Sequence, residues 1–340
     1  MGAPPTAPCP PPSPAAIVGL LAPSVTRVTV VGSTMIDMIS YVPRMPERGE
    51  TLLGNRFEIG FGGKGANQAV MAHRLGAKVR MIGCVGTDGF GDETVANLQA
   101  EGIDTGGVYR SDKHTGVAPI WVEPDGTNRI AIFPGANHEL VAEEVASATA
   151  AGLQPGDVVV GQFEIEQHVT LAAFRAARAA GATTVLNPAP AAPPHTGLLD
   201  LADWLIPNET EFAALMAAEL GKDVRTVADE DIEALAARVA PRLLVTLGGA
   251  GAVMASRPGM PGAAGTGLLR LPAPATEVVD TTGAGDAFVG AFAYGLGRGL
   301  EPATAAALAV RCASFTVSRR GTQLSFPSGE DCARLLDGLP

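Results

Sequence analysis

The stretch "EVVDTTGAGDAFVGAF", Glu277 to Phe292, decides how the chain is read. Its β-branched opening is expected as strand, "DTTGAG" as a flexible turn, and "DAFVGAFAYGLG" as helix. The backbone N–H groups of Gly283, Ala284 and Gly285 then open a helix N-terminus, where unpaired donors and the positive end of the dipole favour an anion. Asp286 falls in the first turn of that helix. A carboxylate beside an anion site suits a base that takes the proton of a hydroxyl attacking a bound phosphate. Taken alone, the same Asp is more readily a helix cap.

A second glycine-rich stretch, "GFGGKGANQAV" from Gly60 to Val70, invites two readings that fail. A P-loop needs Ser or Thr after Gly63-Lys64 and a Gly five residues before Gly63; Gly65 and Glu58 stand there. A dinucleotide fingerprint belongs to the first strand-to-helix turn, near "VVGSTMID" around Gly32, about thirty residues earlier. The alternative is a turn whose glycines let backbone approach a ligand, with Lys64 and Asn67 offering polar groups to a polyhydroxylated molecule.

Around these stretches, apolar β-branched runs alternate with helical patterns. "RVTVVGS", "VRMIGCVG", "DVVVGQF", "TTVLNPAP", "DWLIPN" and "RLLVTLGG" read as buried strands. Helical segments between them stop near Gly76, Gly102 and Gly181, where Gly can take the left-handed cap. The alternation predicts an α/β domain: a central, mostly parallel sheet between layers of helices. "TGVAPIWVEPDGTNRIAIFPG" breaks the rhythm with two extended runs about Pro124-Asp125-Gly126, a hairpin signal. With the region from Tyr41 to Phe57 it is expected to form a small separate sheet, a lid drawn from approximately residues 38–62 and 107–135.

Composition narrows the class. A 46% hydrophobic content over 340 residues supports one large core, and a net charge of −11 without basic runs argues against nucleic acid. Cys9, Cys84, Cys312 and Cys332 are scattered, and the five histidines lack metal-site spacing. No run has the length and apolarity of a membrane span. Residues 1–25 read as a Pro-rich disordered lead-in, with an organellar transit segment as the lesser alternative, and residues 26–340 as the domain. A cytoplasmic enzyme is expected.

The two stretches together resemble the signatures of the PfkB carbohydrate kinases, and among them the ribokinase group. The resemblance extends through "GSTMID", "GETLLG", "VGTDGFGD", "NPAPA", "PNETE", "TLGGAG" and "SRRGTQLSFP", from about Arg27 onward. It implies a ribokinase-like three-layer α/β/α fold and transfer of the ATP γ-phosphoryl to the 5-hydroxyl of D-ribose. Asp286 is then the catalytic base, and Gly283, Ala284 and Gly285 form the anion hole. Asp37, Gly63, Lys64, Asn67 and Glu164 bind sugar; Asn208, Thr246, Gly248 and Gly251 lie along the nucleotide. Glu211 serves Mg²⁺ through water. A monovalent cation, usually K⁺, maps onto Asp280, Thr282, Thr316, Arg319, Gly321 and Ser325. The resemblance departs at Met35, where bacterial ribokinases often carry Asn. Related kinases of deoxyribose, a nucleoside, a ketose or a sugar acid are the alternatives, with a non-catalytic sugar-binding regulator behind them. A homodimer through the lid is expected.

Overall fold

The computed structural model describes residues 26–239, 242–257 and 267–339. The Pro-rich lead-in, residues 1–25, lies outside the described residues. The strands are β1 (Arg27–Val31), β2 (Met35–Tyr41), β3 (Arg56–Gly62), β4 (Lys78–Gly86), β5 (Asp104–Ser111), β6 (Val117–Val122) and β7 (Asn128–Ile130). They continue as β8 (Val158–Gly161), β9 (Thr183–Leu186), β10 (Trp204–Leu205), β11 (Arg242–Thr246), β12 (Ala252–Ser256) and β13 (Leu269–Leu271). The helices are α1 (Lys64–Arg74), α2 (Gly89–Ala100), α3 (Ala142–Ala150), α4 (Gln167–Ala179), α5 (Glu209–Leu220), α6 (Asp229–Arg238), α7 (Ala284–Gly297), α8 (Pro302–Thr316) and α9 (Glu330–Leu336).

The large sheet runs β13-β12-β11-β10-β9-β8-β1-β4-β5. Pairing is parallel from β11 through β5 and antiparallel only at β11–β12–β13. Continuous apolar strands such as VVVG, all buried, are what a sheet covered on both faces requires. One apolar cluster joins the sheet to α1, α7 and α8 through Val70, Phe288, Phe292 and Leu308. The other joins it to α4, α5 and α6 through Phe174, Phe212 and Leu235. Phe292 meets Trp204 edge-on at 4.8 Å between centroids, inside the favourable range for aromatic pairs.

The small sheet is ordered β3-β2-β6-β7. Its hairpin β6–β7 turns about Pro124-Asp125-Gly126 as the sequence implies. Two expectations are corrected. Residues 107–111 belong to β5, which pairs in parallel with β4 at the edge of the large sheet, so the small sheet begins later, at Val117, and earlier, at Met35. "EVV" is not a strand: Val278 and Val279 are 63% and 48% exposed, and among the described residues no strand pairs with them. Val279 and Asp280 instead donate their N–H groups to the Val317 carbonyl. Among the described residues, no helix is long and apolar enough to cross a membrane.

Candidate active site

The carboxyl edge of the parallel strands is where open α/β sheets collect ligands. Here the segment after β1 supplies Ser33, those after β8, β9 and β10 supply Glu164, Asn187 and Asn208, and β11 ends on Thr246. The glycines of "GGKG" seat α1 against that edge. Gly63 enters α1 at φ 87°, and a Cβ there would lie 2.8 Å from the Met35 nitrogen; at Gly65 it would lie 2.7 Å from that of Ser33. The sequence suggests room for a ligand; the structure uses these glycines first for backbone-to-backbone packing. Lys64 N–H donates to Glu164 Oε2 at 2.9 Å, and the Ser33 hydroxyl donates to the same oxygen at 2.5 Å.

Opposite stands α7. Gly283 caps it in the left-handed region at φ 78°. An alanine at 283 is expected to cost about 1–2 kcal/mol, because Cβ is disfavoured at that φ and would also sit 3.0 Å from Phe326 and Thr322. Urea denaturation of Gly283→Ala checks this; an unchanged midpoint would show that the turn relaxes freely. Asp286, 7% exposed, is reached from α1 on both oxygens: Asn67 Nδ2 donates to Oδ2 at 2.9 Å and Gln68 Nε2 to Oδ1 at 3.0 Å. The approach of α1 to α7 depends on Gly290, where a Cβ would meet the Gln68 carbonyl at 2.5 Å. Asp37, on β2, accepts from the Thr322 hydroxyl at 3.3 Å.

A cleft of about 210 Å³ runs between these groups, lined by Lys64, Asn208, Glu211, Thr246, Gly283 and Asp286 among others. Asn208 and Glu211 form a complete capping box on α5: each accepts the other's backbone N–H at 2.9 Å. Their helix-start duty is therefore real, and it leaves both at the cleft wall. Gly251 is needed for close packing, since a Cβ there would lie 2.0 Å from the Leu271 carbonyl, while Gly248 is open. Next to Gly251, the Leu271–Thr276 segment and α8 enclose a largely apolar crevice of about 700 Å³, with Val310 and Ser314 on the helix side. Of the residues expected to hold a monovalent cation, Asp280 accepts from Thr282 N–H at 2.9 Å and from Gly321 N–H at 3.0 Å. Arg319 N–H donates to the Thr316 carbonyl, and Ser325 turns onto that of Thr322.

The cleft is electrically one-sided. Burial, opposed by the Thr322 hydrogen bond and reinforced by Glu164 and Asp286, pushes Asp37 up to about 7. Burial likewise holds Glu164 and Glu211 above the usual carboxylate range, against the pull of Lys64. Burial presses the Lys64 ammonium down, but Asp286, Glu164 and Glu211 outweigh it and hold its pKa above the ordinary value. When ionised, the acids about Lys64 would repel a polyphosphate unless a cation came with it, and hard carboxylate oxygens suit Mg²⁺.

Sequence reasoning missed Gln68, Asn187, Thr322 and Gln323. Each lies inside or next to a quoted motif, but a hydrogen bond between residues 218 or 285 positions apart has no local signal.

An α/β sandwich with a small accessory sheet and an anion-ready helix N-terminus facing buried acids defines a phosphotransferase-type site. Residues 25–329 match the model of the pfkB family carbohydrate kinases. The chain is 37% identical over 311 residues to a deoxyribokinase of Salmonella typhi, covering 89% of this chain and 96% of that one. It is 38% identical over 310 residues to a ribokinase of Mus musculus, covering 89% and 93%. Among solved structures, the ribokinase of Thermotoga maritima aligns with a TM-score of 0.81 at 31% identity, covering 92% of this chain and 99% of that one. The Arabidopsis thaliana ribokinase complexed with ribose and ATP aligns with a TM-score of 0.78 at 28% identity, covering 92% and 99%. The chain belongs to the PfkB family of carbohydrate kinases, with the ribokinase-like fold, and is a sugar kinase that uses ATP.

Proposed function

We propose that the chain phosphorylates D-ribose to D-ribose 5-phosphate. The observation that carries this reading is Asp286, buried at the mouth of the α7 N-terminus and gripped by Asn67 of the "GGKGAN" turn. The base, the anion site and the sugar-side groups thus meet at one point. Asp37, Asn67, Glu164, Lys64 and the Gly63 backbone hold the sugar hydroxyls. Asp286 accepts the proton of the 5-hydroxyl as the hydroxyl oxygen attacks the γ-phosphorus in line, while the bond from that phosphorus to the β,γ-bridging oxygen breaks and ADP leaves. The N–H groups of Gly283, Ala284 and Gly285 take up charge on the moving phosphoryl group. Asn208, Thr246, Gly248 and Gly251 lie along ATP, and the crevice by Val310 receives the base. Glu211 would hold Mg²⁺ through water, and the ion would supply positive charge to the phosphate oxygens. The small sheet closes over the sugar and excludes water.

A second reading, 2-deoxyribose as the substrate, is favoured by Met35. It is 2% exposed and packs in an apolar cluster with Ala118 and Ile120, so it offers the sugar no polar atom. ATP-dependent phosphorylation of D-ribose, 2-deoxyribose, fructose and adenosine in Mg²⁺ and K⁺ tests both. Preference for ribose supports the first reading and preference for 2-deoxyribose the second. Turnover of a ketose or nucleoside moves the substrate class; sugar binding without turnover makes the chain a regulator.

A K⁺ ion beside the turn, among Asp280, Thr282, Thr316, Arg319, Gly321 and Ser325, would fix the anion-hole donors. Faster turnover is expected in KCl than in NaCl at equal ionic strength, and equal rates would remove the site. On one face of the small sheet Phe57 and Ile59 are each more than half exposed. Such an apolar face fits a second copy of the chain, so light scattering is expected to give a dimer.

A further inference from the structure

Asp286 is held by more than one neighbour, and the polarity of what holds it is informative. Gln162 Nε2 donates to Gln68 Oε1 at 2.8 Å, and Gln68 Nε2 donates to Asp286 Oδ1 and, at 3.1 Å, to Asn187 Oδ1. On the other side, Asn97 Nδ2 donates to Gln323 Oε1 at 3.2 Å, Gln323 Nε2 to Asn67 Oδ1 at 3.0 Å, and Asn67 Nδ2 to Asp286 Oδ2. Two files of amides converge on one carboxylate, each with its acceptor behind and its donor ahead.

That direction follows from the carboxylate. An ionised Asp only accepts, so an amide oxygen turned toward it would be repelled. Once Gln68 aims its NH₂ at Asp286, its oxygen must face Gln162, which in turn must present its own NH₂. The cost shows at the end of the file. Gln162 Oε1 is fully buried and finds no donor among the described residues; it lies against Gly32, where a Cβ would come within 1.9 Å of it. A buried orphan acceptor is unfavourable, so the fold keeps Gln162 in an orientation that serves its partner rather than itself. Each Asp286 oxygen has two lone pairs and receives one donor, leaving capacity to accept a proton from the cleft.

We propose that Gln68, backed by Gln162, is a positioning residue that fixes the Asp286 carboxylate for proton acceptance before substrate arrives, with Gln323 doing the same for Asn67. This rests on the reading of Asp286 as the base. The full-length enzyme with Gln68→Met, which keeps the side-chain length and removes the donor, tests it in two ways. Kinetically, kcat is expected to fall about tenfold to a hundredfold, the scale of a misplaced reacting group, with KM for the sugar within threefold. A variant whose kcat matches the wild type, or whose KM rises as much as kcat falls, overturns the proposal. Structurally, a crystal structure of the variant without ligands is expected to show the Asp286 carboxylate rotated from its place. A carboxylate that stays fixed overturns the proposal too. If the wild type turns over no sugar, the functional reading fails while the crystal structure still decides the positioning. Gln162→Met removes one buried orphan acceptor and leaves Gln68 Oε1 without its donor, so its urea midpoint is expected to stay near that of the wild type, and it serves as the test where the inner variant does not fold. It is expected to lower kcat in the same way, roughly threefold to tenfold.

Discussion

Asp286→Asn is expected to lower kcat by about a thousandfold, within the range that a positioned general base contributes, and to leave KM for the sugar within a few-fold. The substituted amide keeps the shape of the carboxylate and loses its proton affinity. Its single oxygen accepts from Asn67 or from Gln68, not both, so one N–H donor meets another and stability falls by about 1–3 kcal/mol. The two effects are separable: denaturation reads the second, and saturation kinetics read the first. A variant retaining more than a tenth of wild-type kcat would mean that another group accepts the proton. The bland alternative, that Asp286 is a helix cap, fares poorly in the structure. The α7 cap position is Gly283, and the Asp286 carboxylate accepts instead from Asn67 and Gln68 of α1.

How much of this was written locally in the chain differs from residue to residue. The parallel sheet was legible because strands buried on both faces leave unbroken apolar runs, and Gly76, Gly102 and Gly181 end their helices at positive φ as expected. "EVV" misled for the same reason the others succeeded: β-branched residues suit strands, but no partner strand is there to pair with them. Residues 107–111 were drawn into the wrong sheet because an extended run does not say which edge it joins. At the site, Asn208 and Glu211 carry a readable local pattern, and the structure makes that pattern a capping box. Gln68 sits inside a legible motif, next to the Asn67 that the sequence singled out. Its meaning comes from α7, brought against α1 by Gly290, and from Gln162, 94 residues away.

Asp37→Asn is expected to make the free protein more stable at pH 8 while impairing sugar binding. The folded environment raises Asp37 to about 7, against roughly 3.9 in an unfolded chain. Below both values the group is neutral folded and unfolded, and its ionisation has no bearing on stability. Between them the unfolded chain ionises and the folded one does not, so stability falls as pH rises. Above about 7 the full cost of the buried charge is present, on the order of 4 kcal/mol. An Asn at 37 can still accept from Thr322 and carries no charge, so the gain in Tm is expected at pH 8 and absent near pH 4. Function runs the other way. An ionised acceptor to a sugar hydroxyl contributes about 1.5–3 kcal/mol, which corresponds to a KM increase of roughly tenfold to a hundredfold in the variant. For the wild type, KM is expected to drop as pH rises through 7 and Asp37 ionises. A destabilised variant at pH 8 would show that the carboxylate is compensated in the free protein; a stabilised one with unchanged KM would take Asp37 out of the sugar site. The expected pair, stability gained and affinity lost, would identify Asp37 as a charge kept in a dry place for the ligand it meets there.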